Sequence, residues 1–500
     1  MSDKSTVIVG AGMAGLSAGC YARMNGYKAT ILEMHSIPGG LCTAWTRKGY
    51  TFDISMHMLT GSKSGAFHEM WRELGVMENR QFHYHNEMCT VESGGRKLSF
   101  CTDPKRLEEQ MLSLAPADAQ LSREFVGHVS GRNLMGAASL EPPELTGLFD
   151  NLRSMVAILP LIGTFRKYGR ATIQEFAGRF QDPFLREAVR MFIDWPGWPM
   201  QKFPMVALTG FLKSAVFEAG VPMGGSQQVV FTIAERLKQL GGELRLRTRV
   251  ASVLVENGRA IGVKLADGTE VRADEVIWAG DGHSLIFDIL GGKYIDDKIR
   301  GVYDKWTPVR PVVHVCLGVA RDMSKEPARV TFQLDQPITV AGEERKWLSV
   351  IHHSFDPTMA PAGKAAIEVW YPCRFEYWEE LAKDRARYEA EKERIAHLTI
   401  NELDRRWPGF RAQVEVVDVP TPATYVRYTG NWRASPDGWY VTPDNMRTNP
   451  LRALPGLAGL HMAGQWTAPF TGTVMAALTG RQVIQLLCRQ DRRRFATSRP

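Results

Sequence analysis

Near the N-terminus, Gly10-Ala11-Gly12-Met13-Ala14-Gly15 carries a glycine spacing whose chemistry is phosphate binding. In a Gly-x-Gly-x-x-Gly each glycine has its own task. Gly10 makes a tight turn, Gly12 lets backbone touch a pyrophosphate, and Gly15 lets a helix pack closely on a strand. The first backbone N–H groups of that helix, around Met13 and Ala14, face the phosphates at the positive end of the helix dipole. Glu33, 18 residues past Gly15, falls where a carboxylate accepts hydrogen bonds from ribose hydroxyls. The pattern alone is common, so its flanks decide. Thr6-Val7-Ile8-Val9 reads as a short buried strand, and Leu16 to Asn25 as a helix closed by Gly26. Ala29-Thr30-Ile31-Leu32 is a second strand, ending at the acid. Together they predict a strand–helix–strand unit that binds a dinucleotide.

The elements that must position this unit come from a chain of 500 residues, long enough for two or three domains with large cores. Its composition, 44% hydrophobic and 23% charged, is that of an ordinary soluble protein. No apolar signal region precedes the first strand, and no apolar run reaches the roughly 18 residues of a membrane span. The longest run, Met155 to Phe165, is interrupted by Pro160 and Gly163 and flanked by Arg153 and Arg166-Lys167. Seven scattered cysteines without a Cys-x-x-Cys argue against a disulfide framework and a zinc site, and for a reducing, cytoplasmic setting. The 61 Lys+Arg outnumber the 54 Asp+Glu, with part of the excess in Arg489 to Arg499. No basic face is interleaved with aromatics, so nucleic acid is excluded as partner. An anionic membrane surface, touched peripherally, suits the tail better, and a merely solubilising tail is the alternative.

Gln81 to Phe100 reads as two strands around Ser93-Gly94-Gly95, with His83 and His85 on one face; no third ligand is near, so no metal is expected. Pro104 to Ala219 is mainly helical and rich in Met, Phe and Trp, as in residues 191–200 and 203–217. Such residues build a packed core, a tunnel for a long apolar ligand, or both. Ser226 has the chemistry of an N-cap before a helix with Val229, Val230, Ile233, Leu237 and Leu240 on one face. Turns follow at Asn257-Gly258 and Asp267-Gly268, and a strand closes at Glu275 to Asp281. Arg310 to Tyr371 alternates as the strands of a second sheet, and Phe375 to Arg406 is a long, charge-laced helical segment with Arg385 and Glu389 on a solvated face. A strand ending at Ala463-Gly464 then leads through a loop into a helix beginning at Thr473. There is no second Gly-x-Gly-x-x-Gly with strand and helix around it, so no dedicated nicotinamide domain is expected.

The order acid, short spacer, Gly39-Gly40 resembles the flavoprotein class that includes amine oxidases, phytoene desaturases and Rab escort proteins. Many of those carry Arg after the pair; here it is Leu41. Gly49-Tyr50-Thr51-Phe52-Asp53 resembles the stretch that follows the pair in phytoene desaturases. Phe52-Asp53, His57 and Gly61 look most like the retinol saturase and carotenoid isomerase branch, with Ser55 where relatives usually carry Gly and one residue extra before Gly61. Residues 221–281 are similar to that superfamily almost element by element, and the Val250 backbone stands where relatives meet the adenine. Residues 385–430 resemble it too, and Leu457 to Leu487 resembles the C-terminal flavin signature. Its helix N-terminus would face the N1–C2=O edge of the flavin. Ala468-Pro469-Phe470 adds bulk there, and no Cys suggests a covalent flavin.

The resemblance implies an α/β fold: a Rossmann-type FAD-binding domain of the glutathione-reductase-like second class, with a discontinuous α+β substrate domain. The first would comprise residues 1–60, 221–300 and 448–500. The second would comprise 61–220 and 301–447, its helical, membrane-contacting part at about 104–220. Non-covalent FAD would be held at Gly10, Gly12, Met13, Ala14, Gly15, Glu33, Gly39, Gly40, Leu41, Val250, Gly464, Gly472, Thr473 and Val474. The activity implied is hydride transfer between flavin N5 and carbon–carbon bonds of a long apolar isoprenoid, carotenoid or lipid, as saturase, isomerase or desaturase. An external quinone, oxygen or carrier protein would supply or accept electrons, and the stretch through His57 favours a reduced flavin. His57 reads either as a proton donor or as a hydrogen-bonded structural residue; Asp53 and Tyr440 are further catalytic candidates. Two rivals remain: an amine oxidase with an aromatic cage at Trp466 and Phe470, and a non-enzymatic prenyl-binding escort, whose known examples lack the intact fingerprint.

Overall fold

The computed structural model describes all residues except 1–3, 131–138, 148–161, 194–199, 208–217, 447, 449, 451, 469–471 and 499–500. Five parallel strands form one sheet in the order Leu460–Met462, Glu275–Trp278, Ser5–Val9, Lys28–Leu32, Glu243–Arg245. Val7, Ile8 and Val9 are all buried, as a strand covered on both faces requires. The fingerprint helix Met13–Met24 packs on this sheet between Gly225–Gln239 and the C-terminal helix Thr473–Gln490. It starts three residues earlier than its apolar pattern suggested, because Gly12 already carries the N-cap; Asn25 caps its other end. The first and last helices nearly touch. A Cβ at Gly480 would stand 2.2 Å from the Ala14 carbonyl oxygen, and the Ser17 hydroxyl donates to Ala477 O at 2.7 Å. A three-stranded antiparallel sheet, Val250–Glu256, Arg259–Leu265 and Glu270–Arg272, turns at the expected Asn257-Gly258 and near Asp267-Gly268.

The second large sheet has seven strands, in the order Val414–Asp418, Val312–Val319, Ala365–Pro372, Glu343–His352, Arg329–Val340, Glu87–Ser93, Arg96–Cys101. All neighbours are antiparallel except Arg329–Val340 beside Glu87–Ser93. Side chains alternate across a strand, so each contributes to both faces. One face carries Val313, Val315, Leu317, Leu348, Val350, Ile367 and Val369, and packs against Ile395 and Leu403 of the helix Arg385–Arg406. The other face carries the intervening residues, among them His314, Arg329, Arg345, Trp347, Glu368 and Trp370. Beside that face lie the hairpin Ala44–Arg47/Tyr50–Asp53 and a helical layer that includes Pro104–Leu114, Ala119–Ser130 and Pro183–Ile193. Phe100 and Phe192 stack at 4.1 Å in that layer.

The expected helical segment Phe375 to Arg406 forms as two helices, Phe375–Leu381 and Arg385–Arg406. Asp384 accepts from the N–H groups of Ala386 and Arg387, capping Arg385–Arg406 and ending Phe375–Leu381 before it. The expected Arg385–Glu389 pair forms at 2.6 Å on the outer surface. Most of Met155 to Phe165, and of the Met- and Trp-rich stretches at 191–200 and 203–217, lies outside the described residues. No described helix is long and apolar enough to cross a membrane, and all seven cysteines are free and buried.

The Gly480 contact gives a paired test. Gly480→Ala forces a methyl group into backbone and should cost about 1–3 kcal/mol or more of stability. Gly127→Ala, within Ala119–Ser130 and with nothing within 4 Å of an added Cβ, should gain about 0.5–1 kcal/mol from helix propensity. Denaturant melts of both variants check the contrast.

Candidate active site

The loops at the carboxyl ends of the parallel strands meet along one line, where open α/β sheets bind ligands. Gly10, at φ +99°, donates to Leu32 O at 2.8 Å and turns the chain. A Cβ at Gly15 would lie 1.9 Å from Gly10 O, so only glycine lets the helix sit this close. At Gly12 a Cβ would meet only Gly39 O, at 3.8 Å. Protein packing therefore does not demand glycine at Gly12, and the open side fits a phosphate group. Glu33 is buried; one carboxylate oxygen accepts from Ala11 N at 2.7 Å and the other from His35 N at 2.8 Å. That fixes the carboxylate beside the fingerprint and leaves further lone pairs for hydroxyl donors.

Gly39 N–H donates to Ala11 O at 2.9 Å, and a Cβ at Gly40 would lie 3.6 Å from Gly12 Cα, so the glycine pair lies against the fingerprint. Leu41 follows, half-buried. Thr248 N donates to Glu33 O at 2.7 Å, which brings the start of the Val250 strand alongside the acid. Gly464 donates to Thr479 Oγ1 at 2.8 Å and stands next to buried Ala14, near buried Met13. Gly472 precedes the helix that begins with Thr473 and Val474. Burial pushes the Cys42 thiol up to about 12, with Asp53 adding to it and the Ser55, Ser226 and Thr473 hydroxyls opposing. The expected nucleotide contacts thus gather on one rim.

A buried polar seam continues from this rim into the seven-stranded sheet. Asp53 accepts from Ser226 N and from the Ser226 hydroxyl, both at 2.5 Å, and from Ser55 N at 3.1 Å. Its own N–H donates to Glu368 Oε1 at 2.8 Å. Ser226 is therefore not the N-cap: Gly224, at φ +86°, takes that place, and the Ser226 hydroxyl is engaged with Asp53 and with Met56 N. Glu368 also accepts from Trp370 Nε1 at 3.2 Å and lies 3.4 Å from His353 Nε2. Burial opposes charge on His353, but the Glu368 carboxylate, with Asp53 and Asp356 beyond, raises its pKa overall.

His57 lies edge-on to Trp370 at 4.6 Å, and His314 stacks on the same indole at 4.4 Å. Burial holds the His57 pKa well below its usual range, and Arg329, His353 and His314 push it the same way. The site thus pairs a neutral imidazole with a charge-assisted one. Asp53 and His57 come together on this seam. Tyr440 does not join them: its hydroxyl accepts from Lys202 N at 2.9 Å, beside the helical layer. His83 and His85 touch at 4.5 Å and pack on Phe355. Among the described residues no group of three or more His, Cys, Asp or Glu is placed to hold a metal ion. Trp466 is enclosed between Trp432 and Trp439 rather than lining an open cage; Phe470 lies outside the described residues.

Between the sheet and the helix Pro183–Ile193 lies a cavity of about 810 Å³, with Trp347, Trp370, Phe184 and Met191 among its walls. Trp370 joins it to His57. His314, His353, Glu368 and Trp370 were not singled out from the sequence. The available signal was polar residues at alternate positions in otherwise apolar runs, Val312-Val313-His314-Val315 and Ile367-Glu368-Val369-Trp370.

A glycine-lined rim at the ends of a parallel sheet, with a cavity beside a second sheet, is an arrangement with counterparts among known proteins. The profile of the family described as flavin containing amine oxidoreductase matches residues 13–483, and the chain belongs to that family. It is 26% identical to a phytoene desaturase (neurosporene-forming) of Rhodobacter capsulatus, over 96% of this chain and 93% of that protein. It is 24% identical to a chloroplastic prolycopene isomerase of Daucus carota, over 96% and 79%. An oxidoreductase from Methanosarcina mazei superposes with a TM-score of 0.62 at 17% identity, over 96% of this chain and all (100%) of that one. A triple mutant of putrescine oxidase superposes with a TM-score of 0.62 at 15%, over 97% and 99%. The protein is a flavin-dependent oxidoreductase with the mixed α/β fold of this family.

The buried histidines predict acid lability. Burial pushes His85 down to about 3, with His83 and Arg329 adding to the effect. Its folded pKa lies below the unfolded value near 6.5, so its stabilising share is complete above about pH 6.5. That share is lost as pH falls towards the folded value. His85→Phe keeps a ring against Phe355 and removes the titration. The fall in unfolding free energy between about pH 6 and 4 should then be shallower by up to about 1.4 kcal/mol per pH unit. Urea melts across that range measure the slope.

Proposed function

We propose that this chain is an FAD-dependent oxidoreductase acting on carbon–carbon double or single bonds of a long apolar isoprenoid, carotenoid or lipid. One observation carries the reading: a buried seam runs from Cys42, beside the glycine pair, through Asp53 and Glu368 to Trp370, which lines the cavity and lies edge-on to His57. The parallel-sheet half serves as a Rossmann-type, glutathione-reductase-like nucleotide domain, built from residues 1–60, 221–300 and 448–500. The remainder, 61–220 and 301–447, serves as the substrate domain. Backbone N–H groups of Met13 and Ala14 would hold the pyrophosphate, with Gly12, Gly39 and Gly40 leaving it room. The Glu33 carboxylate would hold the ribose, the Val250 backbone would meet the adenine, and Gly464, Gly472, Thr473 and Val474 would hold the flavin end. FAD, bound without a covalent link, supplies hydride exchange at N5 when present.

The chain's own residues do the rest. The apolar walls of Trp347, Phe184 and Met191 exclude water around a hydrocarbon chain. His57 stays a neutral imidazole against Trp370 at the cavity, and the His353–Glu368 pair holds the proton. Asp53 acts by positioning both. Electrons come from or pass to an external quinone, oxygen or carrier protein. The protein works in the cytoplasm with peripheral contact to an anionic membrane. Arg492 and Arg494 are exposed for that contact, whereas Arg493 lies over Tyr27 and bonds Asn25 O.

The purified protein should be yellow and release FAD on acid treatment. Gly12→Val should melt as a folded protein and be colourless; a yellow, folded Gly12→Val removes the phosphate assignment. Incubated anaerobically with polyenes, the holoprotein should act only after prior reduction. Bleaching of the oxidised protein on mixing with a partly saturated isoprenoid would establish the opposite, desaturating direction.

A further inference from the structure

The cavity is not uniformly apolar. Its inner end is Trp370, beside His57, with Phe184 and Met191 on the helical side. Its outer end is basic: four cations, Arg96, Arg190, Arg345 and Lys346, line it against two acids, Glu187 and Glu344. Not all of these are available to a ligand. Arg96 is engaged with Asp182 at 2.9 Å and with Leu114 O, and Lys346 faces Glu344 at 3.6 Å on the exposed rim.

Arg190 and Arg345 differ from these two. Arg190 pairs with Glu187 at 2.5 Å through one terminal nitrogen, and its buried Nε has no hydrogen-bond partner. Arg345 donates to Glu343 at 2.8 Å and to Pro372 O, and its buried Nε likewise has none. The Glu343 carboxylate is shared among Arg310, Arg345 and Arg374, so this end of the sheet carries more cation than anion. The Nε atoms are closed off, but each arginine bonds the protein through Nη2 alone; its Nη1 at the cavity wall needs an acceptor once water is displaced, and a pure hydrocarbon supplies none. A ligand oxyanion does.

We propose that the cavity takes an amphipathic isoprenoid: a hydrocarbon chain lying towards Trp370 and His57, with a terminal carboxylate or phosphate held between Arg190 and Arg345. This rests on the assignment of the cavity to an apolar substrate and narrows it to chains with an anionic end. Arg190 and Arg345 then set which end of the chain stays at the mouth, and hence which bonds reach the inner end.

The test is binding to the holoprotein, read by quenching of tryptophan fluorescence, since Trp347 and Trp370 line the cavity. Geranylgeranoic acid should bind about tenfold or more tighter than its methyl ester. Arg190→Gln and Arg345→Gln should each reduce that preference while leaving ester affinity unchanged. Arg345 also holds the sheet through Glu343, so Arg190→Gln is the variant that decides if Arg345→Gln does not fold. Geranylgeranyl monophosphate binding tighter than the acid identifies phosphate as the end group; the reverse identifies carboxylate. An ester that binds as well as the acid, or a preference that survives in folded Arg190→Gln, overturns the inference while leaving the apolar substrate in place. Failure of acid, ester and phosphate alike to bind overturns both.

Discussion

Two buried carboxylates, Asp53 and Glu368, hold the halves of this molecule in register. Neither is solvated: their exposures are 1% and 0%. A buried carboxylate is tolerable only when its lone pairs are filled, and removal of one partner leaves an uncompensated charge. Asp53 fills its own from Ser226 and Ser55, then passes its N–H to Glu368, which also takes Trp370 and His353. The residues linked are the hairpin after the glycine pair, the first turn of the helix Gly225–Gln239, and the strand Ala365–Pro372. Because hydrogen bonds to charge tolerate little displacement, this seam sets where the cavity stands relative to the glycine-lined rim.

The same seam decides which helix N-termini remain available. Three helices begin near the rim, at Met13, Gly225 and Thr473. The positive end of Gly225–Gln239 is already met by the Asp53 carboxylate. The ends at Met13 and Thr473 have no side-chain cap and no acid in their first turns. The close approach at Gly480 fixes their separation, since it locks the last helix onto the first. The Met13 end is open to a negative group, whereas the Asp437 carboxyl already accepts from the Gly472 N–H at the other.

Legibility in the sequence followed the range over which each constraint acts. The fingerprint was readable because strand, turn, helix and acid all lie within residues 6 to 33, and the physics of each glycine is local. Asp53 stood out by spacing, but its partners Ser226 and Glu368 are remote, so its hydrogen-bonding task was invisible. Ser226 misled for the same reason: a serine before an apolar helix reads as a cap unless its hydroxyl is already bound elsewhere. The polar face of the large sheet was hidden because runs such as Val312 to Val319 bury every residue, leaving no contrast between faces. The helical character of 375–406 was readable from its charge spacing, but the break at Asp384 shows only once its carboxylate is seen to cap Arg385–Arg406.

The opposite shifts on His57 and His353 show how one environment yields two roles. Burial lowers the pKa of both, so desolvation alone would make each a neutral imidazole. Only His353 lies against Glu368, and that carboxylate reverses the direction. Once protonated, His353 becomes one of the positive charges that lower His57 further. The two titrations are therefore coupled, and the coupling separates them rather than averaging them. A pair of groups pushed apart in this way divides base from acid without needing different residue types. The division is set by Glu368, whose position depends in turn on the Asp53 N–H it accepts. Substitution at Asp53 keeps that backbone N–H but removes a carboxylate that helps raise His353, and through His353 it alters proton affinity at His57.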